Sequence, residues 1–295
     1  MSVVGNGSPG GGADTVDSAR AAFLAAYDAL LARWPVPVEP VDVPTPFGAT
    51  RVQVCGPADG TPLVLLHGGG ATSTVWFANV GELSRVNRVY AVDVVGDAGR
   101  SVADGRPLRD VADLLAWLDA VLDGLRLSTV RLCGHSYHGW LALRYAANAP
   151  DRVSRLALLD PTDCFAGLRW SYRLHAVPLL ARPSPERMGA LLRWETGGAP
   201  LDPGWLDVVA LGTRLPRSPI VLPRRPGADL LRRVAMPTLV VVAGASRAHD
   251  ARRVADRARR ALPDVAVEVL PRACHHSIPL YDPQPLNAAL TAHFR

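Results

Sequence analysis

Apolar residues follow two spacings along most of the chain. Short apolar runs typical of strands cover residues 51–55, 63–66, 86–92, 129–133, 155–159, 238–243 and 266–270. Helical spacing of apolar residues separates these runs over 110–125, 136–149 and 250–262, and a closing helix is predicted from Pro285. Strands that alternate with helices predict an α/β protein with a largely parallel sheet covered on both faces.

The first 35 residues stand outside this alternation. Residues 1–16 are rich in glycine, serine and asparagine and have no apolar periodicity, so we expect a disordered N-terminal tail. Apolar residues then recur at helical spacing from Ser18 until Trp34 and Pro35 end the run, which predicts an amphipathic helix.

A second interruption covers residues 161–236. Arginine, proline and tryptophan break the strand and helix rhythm there, and short helices are predicted at Pro185–Glu195 and 203–211 because each begins with a proline. We interpret this segment as a helical cap inserted into a core formed by residues 17–160 and 237–295.

Composition narrows the possible functions. The chain has 295 residues, of which 48% are hydrophobic and 20% charged, as expected of a folded globular protein. Its net charge is +5, but every one of the 32 basic residues is arginine and these are scattered, so no nucleic-acid partner is predicted. The absence of lysine excludes a Walker P-loop and Schiff-base chemistry.

Cysteine use and hydropathy bear on the environment of the protein. The cysteines Cys55, Cys133, Cys164 and Cys274 are single and widely spaced, which favours buried free thiols. No run approaches 18 apolar residues and no signal peptide is visible, so we expect no membrane association and a cytoplasmic location.

The first candidate for chemistry is the hexapeptide 134–139, Gly-His-Ser-Tyr-His-Gly, between an apolar strand and a helix. Such a turn exposes its serine at the helix N-terminus, which makes Ser136 a candidate nucleophile. Glycine is usual two residues after this serine, whereas here it is His138 and glycine follows at 139. Either the neighbouring strand has room for the imidazole, or His138 adds a polar group to the site.

A glycine loop follows an early strand. His67 precedes three glycines, and glycine lets backbone N–H groups approach a substrate oxygen closely, as an oxyanion hole requires. We expect the N–H groups of Gly69 and Tyr137 to be the donors.

Two adjacent histidines follow the last predicted strand. A loop in that position can return to the serine, so His275 is the candidate general base, with His276 as the alternative. A metal site built from Cys274 and the two histidines is disfavoured, because adjacent residues rarely all face one ion.

Together these motifs resemble those of a known protein family. From about Thr45 to Phe294 it resembles bacterial α/β-hydrolase-fold carboxylesterases and lactonases, and residues 93–101 resemble the family's D-x-x-G-x-G-x-S loop. The resemblance implies an α/β-hydrolase fold with a helical cap, a serine hydrolase mechanism and a catalytic triad.

The acid of that triad departs from the family pattern. In such relatives it follows the seventh strand, and Arg247 occupies that position here. Asp160, at the end of the sixth strand, is the preferred substitute, because the end of that strand is an alternative acid position in some members of the fold. Asp250 ranks second, because it has a structural explanation as a helix N-cap, and Asp163 ranks third.

The resulting expectation is hydrolysis of a carboxylic ester, lactone or thioester of a small, moderately apolar molecule through an acyl-enzyme on Ser136. Phe165 and Trp170 of the cap are the predicted substrate-binding residues, and no metal or organic cofactor is required. Two alternatives remain: non-hydrolytic use of the same serine for acyl transfer, cyclisation or haloperoxidase-like chemistry, and a ligand-binding relative with a decayed triad.

Overall fold

A computed structural model of the chain describes residues 11–295, and side chains from residue 16 onward. One eight-stranded sheet forms the centre, with strands in the order β1-β2-β4-β3-β5-β6-β7-β8. β1 and β2 pair antiparallel, β2 pairs antiparallel with β4, and all other pairs are parallel. The strands are β1 Glu39–Thr45, β2 Gly48–Cys55, β3 Thr61–Leu66, β4 Asn87–Val92, β5 Val130–His135, β6 Val153–Leu159, β7 Thr238–Ala243 and β8 Val265–Leu270.

Helices cover both faces of the sheet. They are α1 Gly11–Leu31, α2 Val80–Leu83, α3 Val111–Gly124, α4 Ser136–Asn148, α5 Trp170–Ala181, α6 Pro185–Glu195, α7 Pro203–Gly212, α8 Ala228–Arg232, α9 Ala251–Ala261 and α10 Pro283–His293. Side chains alternate along β3, so Val64 and Leu66 join a core with α3, α4 and α9, whereas Leu63 and Leu65 join one with α1, α2 and α10. This arrangement confirms the predicted mostly parallel sheet.

The structure differs from the sequence prediction at several elements, among them β1, α5 and α1. β1 was not predicted, because Pro40 and Pro44 interrupt its pattern; as an edge strand it tolerates them. α5 was missed because Pro178 lies within it. α1 begins at Gly11 rather than Ser18, so the helix includes residues 11–16 of the predicted tail. Residues 1–10 of that tail lie outside the described residues.

The connection between β6 and β7 contains the four helices α5 to α8. α6 packs against α5 and α7, and α7 packs against α1, so these helices form one layer with the N-terminal helix. α8 instead contacts α4 and α9 on the other face of the sheet, although it lies within the segment predicted to be a cap. Residues 160–237 together form the β6–β7 connection.

All four cysteines are buried and free. Among residues 11–295, no helix is both long enough and apolar enough to cross a membrane.

Candidate active site

Ser136 lies at the sharp turn from β5 into α4. Its φ angle is 54°, a left-handed conformation that presents the side chain away from the sheet. The turn is tight, because a Cβ at Gly134 would collide with the backbone carbonyl oxygen of His138, and one at Gly139 would lie 3.1 Å from the Cβ of Pro161. Small residues at 134 and 139 therefore permit this turn.

The structure brings Ser136, His275 and Asp160 together from three strand ends. The Ser136 Oγ lies 2.8 Å from His275 Nε2, and His275 Nδ1 lies 2.6 Å from Asp160 Oδ2. Asp160 is fully buried, and its Oδ1 accepts the Ala243 backbone N–H at 3.2 Å. This geometry lets His275 donate from Nδ1 to the carboxylate and accept the serine proton at Nε2.

The electrostatics fit a charge-stabilising pair. Burial raises the pKa of Asp160, but the hydrogen bond from His275 and the neighbouring imidazoles outweigh it, so the pKa falls to about 2. Burial lowers the pKa of His275, whereas the hydrogen bond and charge of Asp160 raise it, with a net increase. Asp160 is thus ionised and favours a proton on His275.

The other candidate acids have different partners. Asp250 caps α9, where its carboxylate accepts the Arg253 N–H at 3.0 Å. Arg247, at the family's usual acid position, donates to the Trp194 carbonyl oxygen at 2.6 Å and lies over that indole ring. The pKa of Asp163 is raised by burial, and the cations that oppose this shift are Arg173 and Arg225.

The predicted oxyanion donors are neighbours. A Cβ on Gly69 would lie 3.5 Å from the Cβ of Tyr137, which places the glycine loop beside the first turn of α4. An N–H group in a first helical turn has no carbonyl acceptor within its own helix. Gly70, at φ 78°, donates its N–H to Asp97 Oδ2 at 3.2 Å, which holds the loop in place.

His138 is buried behind this loop. Its Nδ1 lies 2.6 Å from the carbonyl oxygen of His67, the residue that begins the glycine loop. Burial lowers the pKa of His138 to about 4, and nearby His67 adds to this effect, so the imidazole is neutral at pH 7 and donates from Nδ1. The departure from glycine therefore connects the serine turn with the glycine loop.

Two clusters of side chains have metal-ligand chemistry. His67, Asp97 and His138 form one, and Asp160, His249 and His275 form the other. In the first, His67 Nε2 accepts the Val94 N–H and His138 Nδ1 donates to a carbonyl oxygen. The second contains the pair that faces Ser136.

A cavity lies beside Ser136 and is mainly apolar. Its lining residues come from the glycine loop, the serine turn, α6, α7 and the loop after β8 that carries His275 and His276, here called the histidine loop. They are Gly68, Gly69, Gly70, Ala71, Val75, His135, Ser136, Met188, Leu192, Trp205, Val209 and His276. His276, the alternative base, is thus a wall residue, whereas His275 contacts the serine.

The predicted substrate-binding residues are placed elsewhere, so that prediction is corrected. Phe165 is buried in the core and lies beside Leu231 of α8 and Arg257 of α9, at a different pocket. Trp170 begins α5 and is 73% exposed. Neither lines the cavity at Ser136.

Three residues of the site were missed by sequence reasoning. The Thr162 Oγ1 lies 3.2 Å from Ser136 Oγ, the His249 ring lies 5.3 Å from that of His275, and Glu195 accepts the His275 backbone N–H at 2.8 Å. Only Glu195 left a signal, since its spacing of four from buried Leu191 places an acidic residue on the apolar face of α6.

Comparison with known proteins places this chain in a family. The model of the alpha/beta hydrolase family matches residues 63–289. The chain is 34% identical over 175 residues to carboxylesterase YbfK of Bacillus subtilis, covering 59% of this chain and 58% of that protein. It is 29% identical over 266 residues to the uncharacterized carboxylesterase nap of the same species, covering 86% of each.

Comparison with solved structures leads to the same family. The crystal structure of naproxen esterase (carboxylesterase NP) from Bacillus subtilis superposes with a TM-score of 0.86 at 26% identity, covering 93% of this chain and 98% of the other. The predicted α/β-hydrolase fold and the resemblance to bacterial carboxylesterases are thereby confirmed. The chain belongs to the alpha/beta hydrolase family and is a hydrolase of that fold.

Proposed function

We propose that this chain is a serine carboxylesterase in which Ser136 is the nucleophile, His275 the general base and Asp160 the orienting acid. The observation that carries the proposal is the continuous relay of 2.8 Å and 2.6 Å from Ser136 Oγ through His275 to a fully buried carboxylate. The likeness to carboxylesterases YbfK and nap supports ester hydrolysis as the reaction.

The first half of the reaction forms an acyl-enzyme. Ser136 Oγ attacks the carbonyl carbon of the ester while its proton passes to His275 Nε2, and Asp160 stabilises the imidazolium at Nδ1. The N–H groups of Gly69 and Tyr137 hold the developing oxyanion. The tetrahedral intermediate then expels the alcohol, which takes the proton from Nε2 as it leaves.

The second half releases the acid. His275 Nε2 removes a proton from water, the resulting hydroxide attacks the acyl carbon, and Ser136 regains the proton when the carboxylic acid departs. Apart from the ester and water, these steps use only side-chain and backbone groups of this chain.

The cavity wall supports a small, moderately apolar substrate. Met188, Leu192, Trp205 and Val209 of the predicted cap give it apolar surface, and Val75 and Ala71 do so from the core. Apolar walls with a few convergent polar groups are typical of sites for small organic molecules. An ester, lactone or thioester of such a molecule fits this lining.

Fluorophosphonate labelling with peptide mass spectrometry tests the nucleophile, alongside turnover of p-nitrophenyl esters of increasing chain length. We expect selective labelling of Ser136 and ester hydrolysis by the native chain. Ser136→Ala should lose the label and reduce turnover by roughly five to six orders of magnitude. A folded native protein that neither labels nor hydrolyses any ester of the series would contradict the proposal.

A further inference from the structure

Glu195 joins α6 of the β6–β7 connection to the loop that carries His275. Its side chain is completely buried, and Oε1 accepts the His275 backbone N–H at 2.8 Å. The second oxygen, Oε2, lies 3.4 Å from Nδ1 of His276. A single carboxylate on α6 therefore faces two successive residues of the histidine loop, His275 and His276.

This carboxylate is charged although it is buried. Burial raises the pKa of Glu195, but the interaction with His276, together with His275, outweighs that effect and leaves the pKa below its ordinary value. A neutral side chain of the same shape would accept the same backbone N–H bond. The charge therefore requires a separate explanation, because a buried ion is costly without one.

The explanation lies in the proton that His275 accepts. The negative charges of Asp160 and Glu195 both raise the pKa of the His275 imidazole. Asp160 bonds the ring directly, whereas Glu195 holds the backbone of the same residue. The two carboxylates therefore favour the same charged form from different elements, β6 and α6.

We propose that Glu195 is a positioning residue, through which α6 fixes the His275 loop and stabilises the protonated histidine that forms when Ser136 attacks. The proposal rests on the assignment of Ser136 and His275 as nucleophile and base. It makes the β6–β7 connection part of the proton-transfer machinery as well as a wall of the cavity.

Other titratable groups also face His275 and must be considered in any pH measurement. Tyr172 of α5 packs edge-on to the His275 ring with centroids 6.1 Å apart. The remaining groups are imidazoles, which are His135 at the end of β5, His249 after β7, and His276 beside it in the loop. Burial lowers the pKa of His135 to about 3 and that of His249 to about 4, so both are neutral near pH 7.

Glu195→Gln is the decisive variant, because it keeps an acceptor oxygen for the His275 N–H and removes only the charge. Glu186→Gln is the matched control, since Glu186 lies on the same helix but is exposed. The measurements are the pH profile of kcat/KM for a p-nitrophenyl ester and an NMR titration of the His275 ring.

In Glu195→Gln we expect the acid limb of the profile and the NMR midpoint of His275 to move to lower pH by about half a unit to one unit. Both should remain at the native position in Glu186→Gln. A purely structural role would lower stability or kcat without moving either midpoint. Unchanged midpoints in folded Glu195→Gln would overturn the proposal.

The NMR titration also separates this proposal from the proposed function. It needs no substrate, so the effect of Glu195 on His275 is measured even if no ester is hydrolysed. Absence of ester turnover with a shifted midpoint would count against carboxylesterase activity alone, whereas turnover with unshifted midpoints would count against Glu195 alone.

Discussion

At the scale of single residues, burial distinguishes Asp160 from Asp250, the next candidate for the acid. It is fully buried and has two hydrogen-bond partners, the His275 ring and the Ala243 N–H, whereas Asp250 is exposed and caps a helix. An orienting acid must be desolvated to act strongly on an imidazole, because the interaction between charges grows as the local dielectric falls.

Exchanging each aspartate for asparagine tests this distinction. Asp160→Asn should lower kcat/KM by about ten-thousand-fold, since an amide cannot hold the tautomer that Ser136 requires. Asp250→Asn should leave turnover and stability nearly unchanged, because asparagine is an equally good N-cap. Ester kinetics and thermal unfolding of both variants provide the measurement. Loss of turnover in Asp250→Asn alone would transfer the acid role to Asp250.

The proposed role of His275 as the general base predicts how turnover depends on pH. The base must be neutral to accept the serine proton, and its pKa is raised above the ordinary value of 6.5. Activity is therefore complete at high pH and is lost as the pH falls through a midpoint above 6.5. A kcat/KM profile measured from pH 5 to 9 checks this, and a midpoint at or below the ordinary histidine value would argue against the relay.

At the scale of elements, two turns at the ends of β3 and β5 depend on each other. His138, in the first turn of α4, donates to the carbonyl oxygen of His67 at the start of the glycine loop. Removing the imidazole would leave a buried carbonyl oxygen without its donor and a space beside the loop.

We expect His138→Ala to lower the free energy of unfolding by about 2–3 kcal/mol and turnover by roughly tenfold. His293→Ala is a suitable control, because its ring also bonds a backbone carbonyl oxygen, that of Leu156, but belongs to α10. It should lose stability without a specific loss of turnover. Urea denaturation and ester kinetics compare the two, and equal kinetic effects would mean that His138 does not support the site.

The sequence predicted those elements whose patterns are local. α6 was located correctly at both ends, since Ser184 caps it and Pro185 occupies its first turn. Ser136 and His275, the proposed nucleophile and base, could be selected because each stands in a short motif beside a strand. The contacts of Glu195 and His249 join elements far apart in the chain, and the wall formed by Met188 and Leu192 depends on how α6 packs. The apolar face of α6 could have marked Glu195 as buried, but no local pattern could reveal these contacts or this packing.

At the scale of the whole molecule, the β6–β7 connection covers the serine through α6 and α7. α1 packs against α7, and Arg33, just beyond α1, forms two hydrogen bonds with the α7 cap residue Asp202. Packing between α1, the β6–β7 connection and the core loops therefore sets the size of the cavity. Trp205, buried to 4% exposure, is the largest side chain of its wall.

Trp205→Ala should shift the preferred p-nitrophenyl ester toward longer acyl chains, because removing the indole enlarges the cavity. The change should also lower stability by about 3–5 kcal/mol. Trp170→Ala, at an exposed position away from the cavity, is the control and should alter neither property. Turnover across the ester series, with thermal unfolding, measures both. An unchanged chain-length preference in Trp205→Ala would show that the acyl group lies elsewhere.

The left-handed backbone of Ser136 and Asp160, with φ angles of 54° and 40°, affects how the protein can be made more stable to heat. Non-glycine residues in this conformation cost about 1–3 kcal/mol each. Substitution of Ser136 by glycine would relieve that cost and remove the proposed nucleophile, whereas glycine at 160 would also leave the Ala243 N–H and the His275 ring without their buried partner. Selection for heat resistance alone would therefore favour inactive chains, and a useful thermostability screen must require turnover in every round.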